Sequence, residues 1–136
     1  MKKYITIIFS FLSLFVCLSC SDDDNDTIPE QEPVRYYVKY ELSGTTQHIN
    51  VPRLITVNTE KGNQTIKIEG RNIIWDETYG PVNKIFIPRL DVKIEDYEYS
   101  SSMEGKIYVS REKEPFVLKA QGTGKYSLSL TCTIDF

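Results

Sequence analysis

The sequence predicts an all-β fold: an antiparallel two-sheet β-sandwich of seven or eight strands within residues 34–136. Three observations predict it. Apolar and polar residues alternate with period two through most of this region, short turn sequences interrupt the alternation at close intervals, and no segment shows an apolar stripe at helical spacing. Because a single such strand is not stable alone, two sheets must face each other and bury their apolar sides.

The first strand and the first hairpin carry the clearest pattern. In the first strand every second side chain is apolar or aromatic and is expected to face the core: Val34, Tyr36, Val38, Tyr40 and Leu42. Residues 55–59 and 64–69 form the next pair of strands. Residues 60–63 between them predict a hairpin turn in which Gly62 or Asn63 takes a positive φ.

The remaining strands follow the same alternation. Their predicted inward side chains are Phe86, Pro88, Leu90, Val92 and Ile94; Met103, Gly105, Ile107 and Val109; Phe116, Leu118 and Ala120; and Tyr126, Leu128, Leu130, Cys132, Ile134 and Phe136. Pro88 marks a strand end or edge, and turns are predicted at residues 111–115 and 121–124. Cys132 is expected to be a small buried hydrophobe.

Composition limits both the size and the function of the protein. The chain has 136 residues, which is room for one domain, with 16 Lys and Arg against 19 Asp and Glu and a formal net charge of −3. Proteins that bind nucleic acid carry a clear basic excess, so this balance predicts no nucleic-acid partner. Hydrophobic residues make up 40% of the chain, which is typical of a folded domain.

The first 19 residues have the layout of a secretory signal peptide. Lys2 and Lys3 give a positive start, and residues 4–16 form an uncharged, mostly apolar run. The run is too short to span a bilayer comfortably, which takes about 20 residues of helix. The alternative is an uncleaved N-terminal anchor.

The end of this segment carries a more specific motif, in which the small residue Ser19 directly precedes Cys20. The pair resembles the lipobox of bacterial lipoproteins, where a signal peptidase cuts before a cysteine that already carries diacylglycerol. The sequence departs from the usual pattern at Cys17, where Leu is typical, and at Leu18, which is larger than usual. The resemblance implies that Cys20 begins the mature chain and carries acyl chains such as palmitate, which anchor it in a membrane.

Residues 20–33 form an acidic segment without Lys or Arg, and its prolines and carboxylates predict a disordered tether. Directly after Cys20 stand four residues, Ser21, Asp22, Asp23 and Asp24. This run resembles the export signal that sends lipoproteins of Bacteroidetes to the outer face of the outer membrane. The alternatives are a solvated spacer without address information and a calcium site, although the Gly turn and distal Glu of a calcium loop are missing.

Several short segments follow one another in a suggestive order within the domain: residues 38–44, 55–62 and 106–109, together with Trp75 and the Gly-Lys-Tyr that opens the last strand. Their order is similar to that in the small immunoglobulin-like β-sandwich of MmpS-type membrane-anchored proteins. The resemblance implies a fold and no particular activity.

The sequence contains no catalytic or phosphate-binding motif, so we expect no enzyme, no cofactor and no bound metal. His48 is the only histidine and lies beside a turn. Six carboxylates are the candidates for a glycosidase pair: Asp76, Glu77, Asp91, Glu95, Asp96 and Glu98. So small a domain with short loops leaves little room for the cleft that such a pair must flank.

Aromatic side chains are the remaining candidates for a binding site. Those near predicted turns are Trp75, Tyr79, Tyr97 and Tyr99, and Tyr37 and Tyr108 are expected on outward faces. Rings with a polar handle stack well on sugars and on protein surfaces. The alternative is cross-strand packing, with Trp75 as a plug between the sheets. The polar segment 96–102, which carries two tyrosines, is the best place for a binding surface.

These features together predict an outer-membrane lipoprotein, exposed at the cell surface, that displays a small non-catalytic binding or accessory module for a protein or glycan partner. The alternative is a structural or envelope-assembly lipoprotein without a small-molecule ligand. Exposed aromatics gathered in one patch favour binding, and exposed aromatics scattered singly favour a structural role.

Overall fold

The computed structural model describes residues 32–48, 51–95 and 101–136 of the chain. The predictions for the signal peptide, for Cys20 and the run 21–24, and for Tyr97 and Tyr99 lie outside these residues. Eight strands are present in the described part: β1 (Tyr36–Thr46), β2 (Arg53–Thr59), β3 (Gly62–Ile68), β4 (Asn72–Val82), β5 (Arg89–Ile94), β6 (Ser101–Arg111), β7 (Val117–Gly124) and β8 (Ser127–Thr131). In these ranges, no helix is long and apolar enough to cross a membrane.

The eight strands form two four-stranded antiparallel sheets that pack against each other. Sheet A has the strand order β4-β1-β6-β7, and sheet B has the order β3-β2-β5-β8. Each sheet therefore draws strands from both halves of the chain. The all-β sandwich predicted from the alternating pattern is confirmed.

The core lies between the sheets and consists of the alternate side chains that the sequence pattern predicts. The buried apolar side chains of the four central strands are Tyr36, Val38, Tyr40, Leu42, Ile55, Val57, Leu90, Val92, Ile94, Met103, Ile107 and Val109. The β2–β3 hairpin also forms where expected, and Gly62 takes the positive φ of 107° that favours glycine at this turn.

Gly105 lets the two sheets approach closely at the β7–β8 side of the sandwich. A Cβ atom on Gly105 would lie 2.6 Å from Cδ2 of Leu128 and 3.0 Å from Cδ2 of Leu90. Gly122, on the neighbouring strand β7, leaves similar room for Leu130. Leucine side chains of sheet B thus occupy the space that side chains of sheet A would otherwise fill.

One predicted turn is wrong, and one strand was not predicted. Residues 121–124 form the end of β7 and no turn, because Gly122 serves the close packing of the sheets. In addition, residues 72–82 form the long edge strand β4, which the sequence did not reveal as a strand. Its alternation is weak because the outer half of an edge strand is solvated, so only Ile73 and Val82 are buried.

Four side chains predicted to face inward are at least 40% exposed: Phe116, Leu118, Tyr126 and Phe136. The register of β6 and β7 shifts between Ile107 and Tyr108, so Leu118 pairs with Tyr108 on the outer face. Phe116 and Tyr126 precede their strands. The last strand was expected to run on to Phe136, but β8 ends at Thr131, and the Phe136 ring packs against Tyr36 with centroids 5.7 Å apart.

Arg53 is a fully buried cation that hydrophobic patterning did not predict. It faces inward because it lies two positions before buried Ile55 on β2. Its Nη1 donates to the carbonyl oxygen of Gly70 at 2.9 Å, and its Nη2 lies 3.5 Å from Oγ of Ser101. Burial lowers the pKa of the guanidinium, but Arg53 stays charged at neutral pH because the ordinary value is so high.

Candidate functional site

A hollow of about 530 Å³ lies on the outer face of sheet B. We call it the sheet-B groove, and its lining residues are Thr56, Asn58, Asn63, Ile87, Arg89, Asp91, Ser129 and Thr131. Seven of these eight side chains carry hydrogen-bonding groups. Their combination of amides, hydroxyls and one ion pair makes this hollow the candidate binding site.

The alternation of β2 and β5 creates the polar lining. Ile55 and Val57 point into the core, so Thr56 and Asn58 between them point outward. In the same way, buried Leu90 and Val92 place Asp91 on the outer face of β5. Side chains that look merely solvent-exposed in the sequence are thus gathered on one surface by strand pairing.

The register sets these side chains in rows that cross the sheet. Asn58 on β2 pairs with Asn63 on β3. In the next row Thr56 pairs with Asp91, which in turn pairs with Ser129 on β8. All four strands of sheet B therefore contribute to one surface.

An ion pair at the centre of the groove removes its net charge. Nε of Arg89 lies 2.5 Å from Oδ2 of Asp91, and Oγ of Ser129 donates to Oδ1 of the same carboxylate at 2.6 Å. The Arg89 side chain is 62% exposed, so most of its donors remain open to a ligand. The lining holds one cation and one anion, which suits an uncharged polar ligand.

Asn58 fixes one end of the groove through several hydrogen bonds. Its Oδ1 accepts from the hydroxyl of Tyr40 at 2.9 Å and from the backbone N–H of Arg89 at 2.6 Å. Its Nδ2 donates to the carbonyl oxygen of Ile87. Burial raises the pKa of Tyr40, so its hydroxyl stays protonated as the donor across the physiological range. The amide thereby ties β2 to the segment that enters β5.

An apolar wall stands beside this end of the groove. The segment 83–88 between β4 and β5 exposes 85% of Ile85 and 56% of Ile87 to solvent. Pro88 is buried, and its carbonyl oxygen accepts from the N–H of Cys132 at 3.2 Å. The two isoleucines are therefore displayed on a segment that is held from both sides.

The outer face of sheet A has a different arrangement, in which charges pair with one another. Nζ of Lys39 lies 2.6 Å from Oε1 of Glu41, and Nζ of Lys106 lies 3.1 Å from Oε1 of Glu104. The Lys39 hydrogen bond lowers the pKa of Glu41. Nζ of Lys39 also lies 5.6 Å from the ring centroid of Tyr108. These charges pair with one another, and the same face carries a smaller hollow of about 240 Å³ whose lining includes Trp75 and Asp76.

The aromatic candidates do not come together in one patch within the described residues, and this arrangement by itself favours the structural alternative. Trp75 and Tyr79 lie inside β4, away from turns, and both pack partly buried against the core. The Tyr79 ring lies 6.0 Å from that of Tyr40, and its hydroxyl donates to Glu77. This position matches the packing alternative for Trp75, which contacts the core from the edge of sheet A.

The other candidates lie elsewhere. Tyr37 and Tyr108 are half-exposed on the outer face of sheet A, as expected. His48 is exposed just beyond the end of β1. Cys132 is half-buried against the core, and burial raises the pKa of its thiol. Among the described residues, no three His, Cys, Asp or Glu side chains are grouped so that they could hold a metal ion.

The sheet-B groove was not predicted from the sequence, because its lining contains no aromatic ring and only one of the candidate carboxylates, Asp91. One signal was present. Apart from Leu54, the outward positions of β2 and β8 are Thr, Asn and Ser, whereas the outward positions of β1 and β6 include Lys and Glu.

Comparison of the chain with family models, with curated proteins and with solved structures finds no match.

Proposed function

We propose that this protein is a surface-exposed outer-membrane lipoprotein whose β-sandwich is a non-catalytic module that binds a neutral glycan in the sheet-B groove. The observation that carries the proposal is the lining of the groove. It combines neutral amides and hydroxyls with one internally paired charge couple, Arg89 and Asp91, on the strands of a rigid sheet.

The chemistry of sugars fits this lining. Each sugar hydroxyl both donates and accepts a hydrogen bond, so it matches side chains such as Asn63 and Thr131 that offer both functions. Neighbouring hydroxyls on a ring suit the parallel arrangement of an Arg donor beside an Asp acceptor. A protein partner is favoured less, because protein interfaces centre on buried apolar and aromatic anchors and Ile87 is the one apolar residue of the lining.

The membrane address rests on Cys20 and on the acidic run that follows it. Acyl chains on one cysteine hold an otherwise water-compatible domain at a bilayer, because each buried CH₂ contributes about 0.8 kcal/mol. Cys20→Ala is expected to abolish incorporation of labelled fatty acid, whereas the matched variant Cys17→Ala keeps it. Labelling that persists in Cys20→Ala contradicts the assigned site.

Surface export is tested separately. Replacement of Asp22, Asp23 and Asp24 by Ala is expected to protect the protein from protease added to intact cells. Replacement of Glu30 and Glu32 by Ala removes carboxylates from the same segment and should leave the protein accessible. Equal accessibility of both variants contradicts a sorting role for the run.

Glycan binding is tested with the full lipidated chain in a detergent without a sugar headgroup. Its migration is measured in native gels that contain starch, xylan, mannan or laminarin, with polygalacturonate as an anionic comparison. At least one neutral polysaccharide should retard the protein. Asp91→Ala should weaken that retardation about tenfold, since it breaks the ion pair in the groove.

The matched control is Asp76→Ala, which removes an exposed carboxylate from β4 in sheet A and should change nothing. Retardation by polygalacturonate alone contradicts a neutral ligand. Retardation by none of the polysaccharides contradicts glycan binding and favours the structural or protein-binding role. Equal losses in both variants contradict the placement of the site.

A further inference from the structure

We infer that the sheet-B groove binds an internal stretch of about three sugar units of an extended polysaccharide, which lies across the strands of the sheet. This inference rests on the proposed function, because it names the part of a glycan that the same groove would take.

The direction of the ligand follows from the two rows of side chains. One row contains Asn63, Asn58, Arg89 and Thr131, and the other contains Thr56, Asp91 and Ser129. Each row takes one residue from each successive strand, so the hydrogen-bonding groups run perpendicular to the strands. A ligand aligned with a single strand would reach only two or three of them.

The length follows from strand spacing. Neighbouring strands lie about 4.8 Å apart, so the four strands place about 14 Å between the outer columns of side chains, the length of about three sugar units in an extended chain. The volume of about 530 Å³ also exceeds what a single sugar ring fills.

The open ends of the groove favour internal units over chain ends. The lining residues at its two ends lie on β3 and on β8, which are the edge strands of sheet B. A polysaccharide can therefore extend past the sheet in both directions. A site for a chain end needs a wall that stops the chain. Ile87 lies in the segment just before β5, beside Arg89, so it flanks the chain and does not block either end of the groove.

Ile87 offers an apolar surface to the C–H groups along the side of an extended polysaccharide. Sugar rings expose C–H groups between their hydroxyls, and Ile87 is 56% exposed at the position where the row through Asn58 and Arg89 passes. Ile87→Ser is expected to weaken binding of long and short ligands by the same factor. By contrast, changes at the two ends of the groove should affect only ligands that reach them.

The test is a length series prepared from whichever polysaccharide retards the full chain. Oligosaccharides of one to six units are titrated calorimetrically, together with hexamers whose reducing end has been converted to the alditol. Affinity should rise with each added unit up to about three and then level off. The alditol hexamer should bind as tightly as the unmodified hexamer.

Two variants test the span directly. Asn63→Ala on β3 and Thr131→Ala on β8 should each weaken binding of the trimer about fivefold, the effect of one lost hydrogen bond. Ser43→Ala on the outer face of sheet A is the control and should have no effect. A monomer that binds as tightly as the hexamer, a loss of affinity in the alditol, or an effect at only one end overturns this inference. Those outcomes leave glycan binding itself standing, whereas retardation by no polysaccharide overturns both.

Discussion

On both sheets every second residue of a strand points outward and is mostly polar, but the outward side chains make different contacts on the two faces. On sheet A, Lys39 pairs with Glu41 and Lys106 pairs with Glu104. On sheet B, Arg89 and Asp91 form one pair, and around it stand amides and hydroxyls that face a hollow. We therefore expect the charges on sheet A to be occupied by one another, and the neutral donors and acceptors around Arg89 and Asp91 on sheet B to remain available to a ligand.

The largest expected effect is a loss of stability from a change in the core between the two sheets, because both outer faces depend on that packing. Gly105→Val should lower the free energy of unfolding by about 3 kcal/mol, because the new side chain collides with Leu128 and Leu90 of the opposite sheet. Ser102→Val places a similar side chain on the outer face of the same strand and should change stability by less than about 0.5 kcal/mol. Urea denaturation of both variants measures the difference. Equal losses contradict the close approach of the sheets at Gly105.

The next largest effect is the loss of stability when the hydrogen bonds that hold Asn58 in place beneath the groove are removed. Asn58→Ala should cost about 1 kcal/mol, because the Tyr40 hydroxyl and the Arg89 N–H lose the Oδ1 acceptor. The hydroxyl keeps the backbone carbonyl oxygen of Asn58 at 2.9 Å, and the N–H keeps the Tyr40 hydroxyl oxygen at 3.3 Å. Asn58→Asp keeps that acceptor, and at about pH 3 its protonated carboxyl can still donate to the carbonyl oxygen of Ile87, so at that pH it should be the less damaging variant. Thermal unfolding at that pH ranks the two, and the reverse order contradicts the assigned hydrogen bonds.

The buried tyrosine beneath the groove predicts a pH dependence. Burial raises the pKa of Tyr40 in the folded state above the ordinary value of about 10, so the hydroxyl is protonated in both states below pH 10. Above that pH the unfolded chain releases the proton first, and the resulting loss of stability should reach about 1 kcal/mol by pH 11.

Tyr40→Phe removes this titration. It should be less stable than the unaltered protein at pH 7, because a hydrogen bond to Asn58 is lost, but its stability should fall less between pH 9 and pH 11. Urea denaturation at each pH measures the two slopes. Burial also raises the pKa of Tyr79, so part of the alkaline loss should remain in the variant. Parallel slopes contradict the role of Tyr40.

The smallest effect belongs to the charge pairs of sheet A. Lys39→Ala should leave the free energy of unfolding almost unchanged, since exposed ion pairs contribute little and are screened by salt. It should leave glycan binding unaltered. A loss of binding in this variant contradicts the assignment of the ligand to sheet B.

Much of the fold could be predicted from the sequence, because a strand with one buried side shows its alternation directly. The strand through Val38 and Tyr40 and the turn at Gly62 are examples. Strand β4 could not be recognised in this way, because an edge strand buries few side chains. Leu118 was assigned to the wrong face because a register shift against Tyr108 leaves no mark in the pattern of one strand.

The candidate site was harder to predict than the fold. Asn63, Arg89 and Thr131 lie far apart in the sequence, and each alone is an ordinary exposed residue of a strand. Only the order β3-β2-β5-β8 brings them to one surface. Strand order depends on pairing across the whole chain, and local periodicity carries no information about it.

The central claim is that the outer face of sheet B, and not that of sheet A, meets the ligand. The most direct test is the NMR spectrum of the full chain titrated with the hexamer of the retarding polysaccharide. We expect shifts in the side-chain amide signals of Asn58 and Asn63 and in the backbone amide signal of Arg89. The backbone amide signals of Lys39 and Glu41 should not move. Shifts confined to sheet A, or no shift at saturation of the hexamer, contradict it.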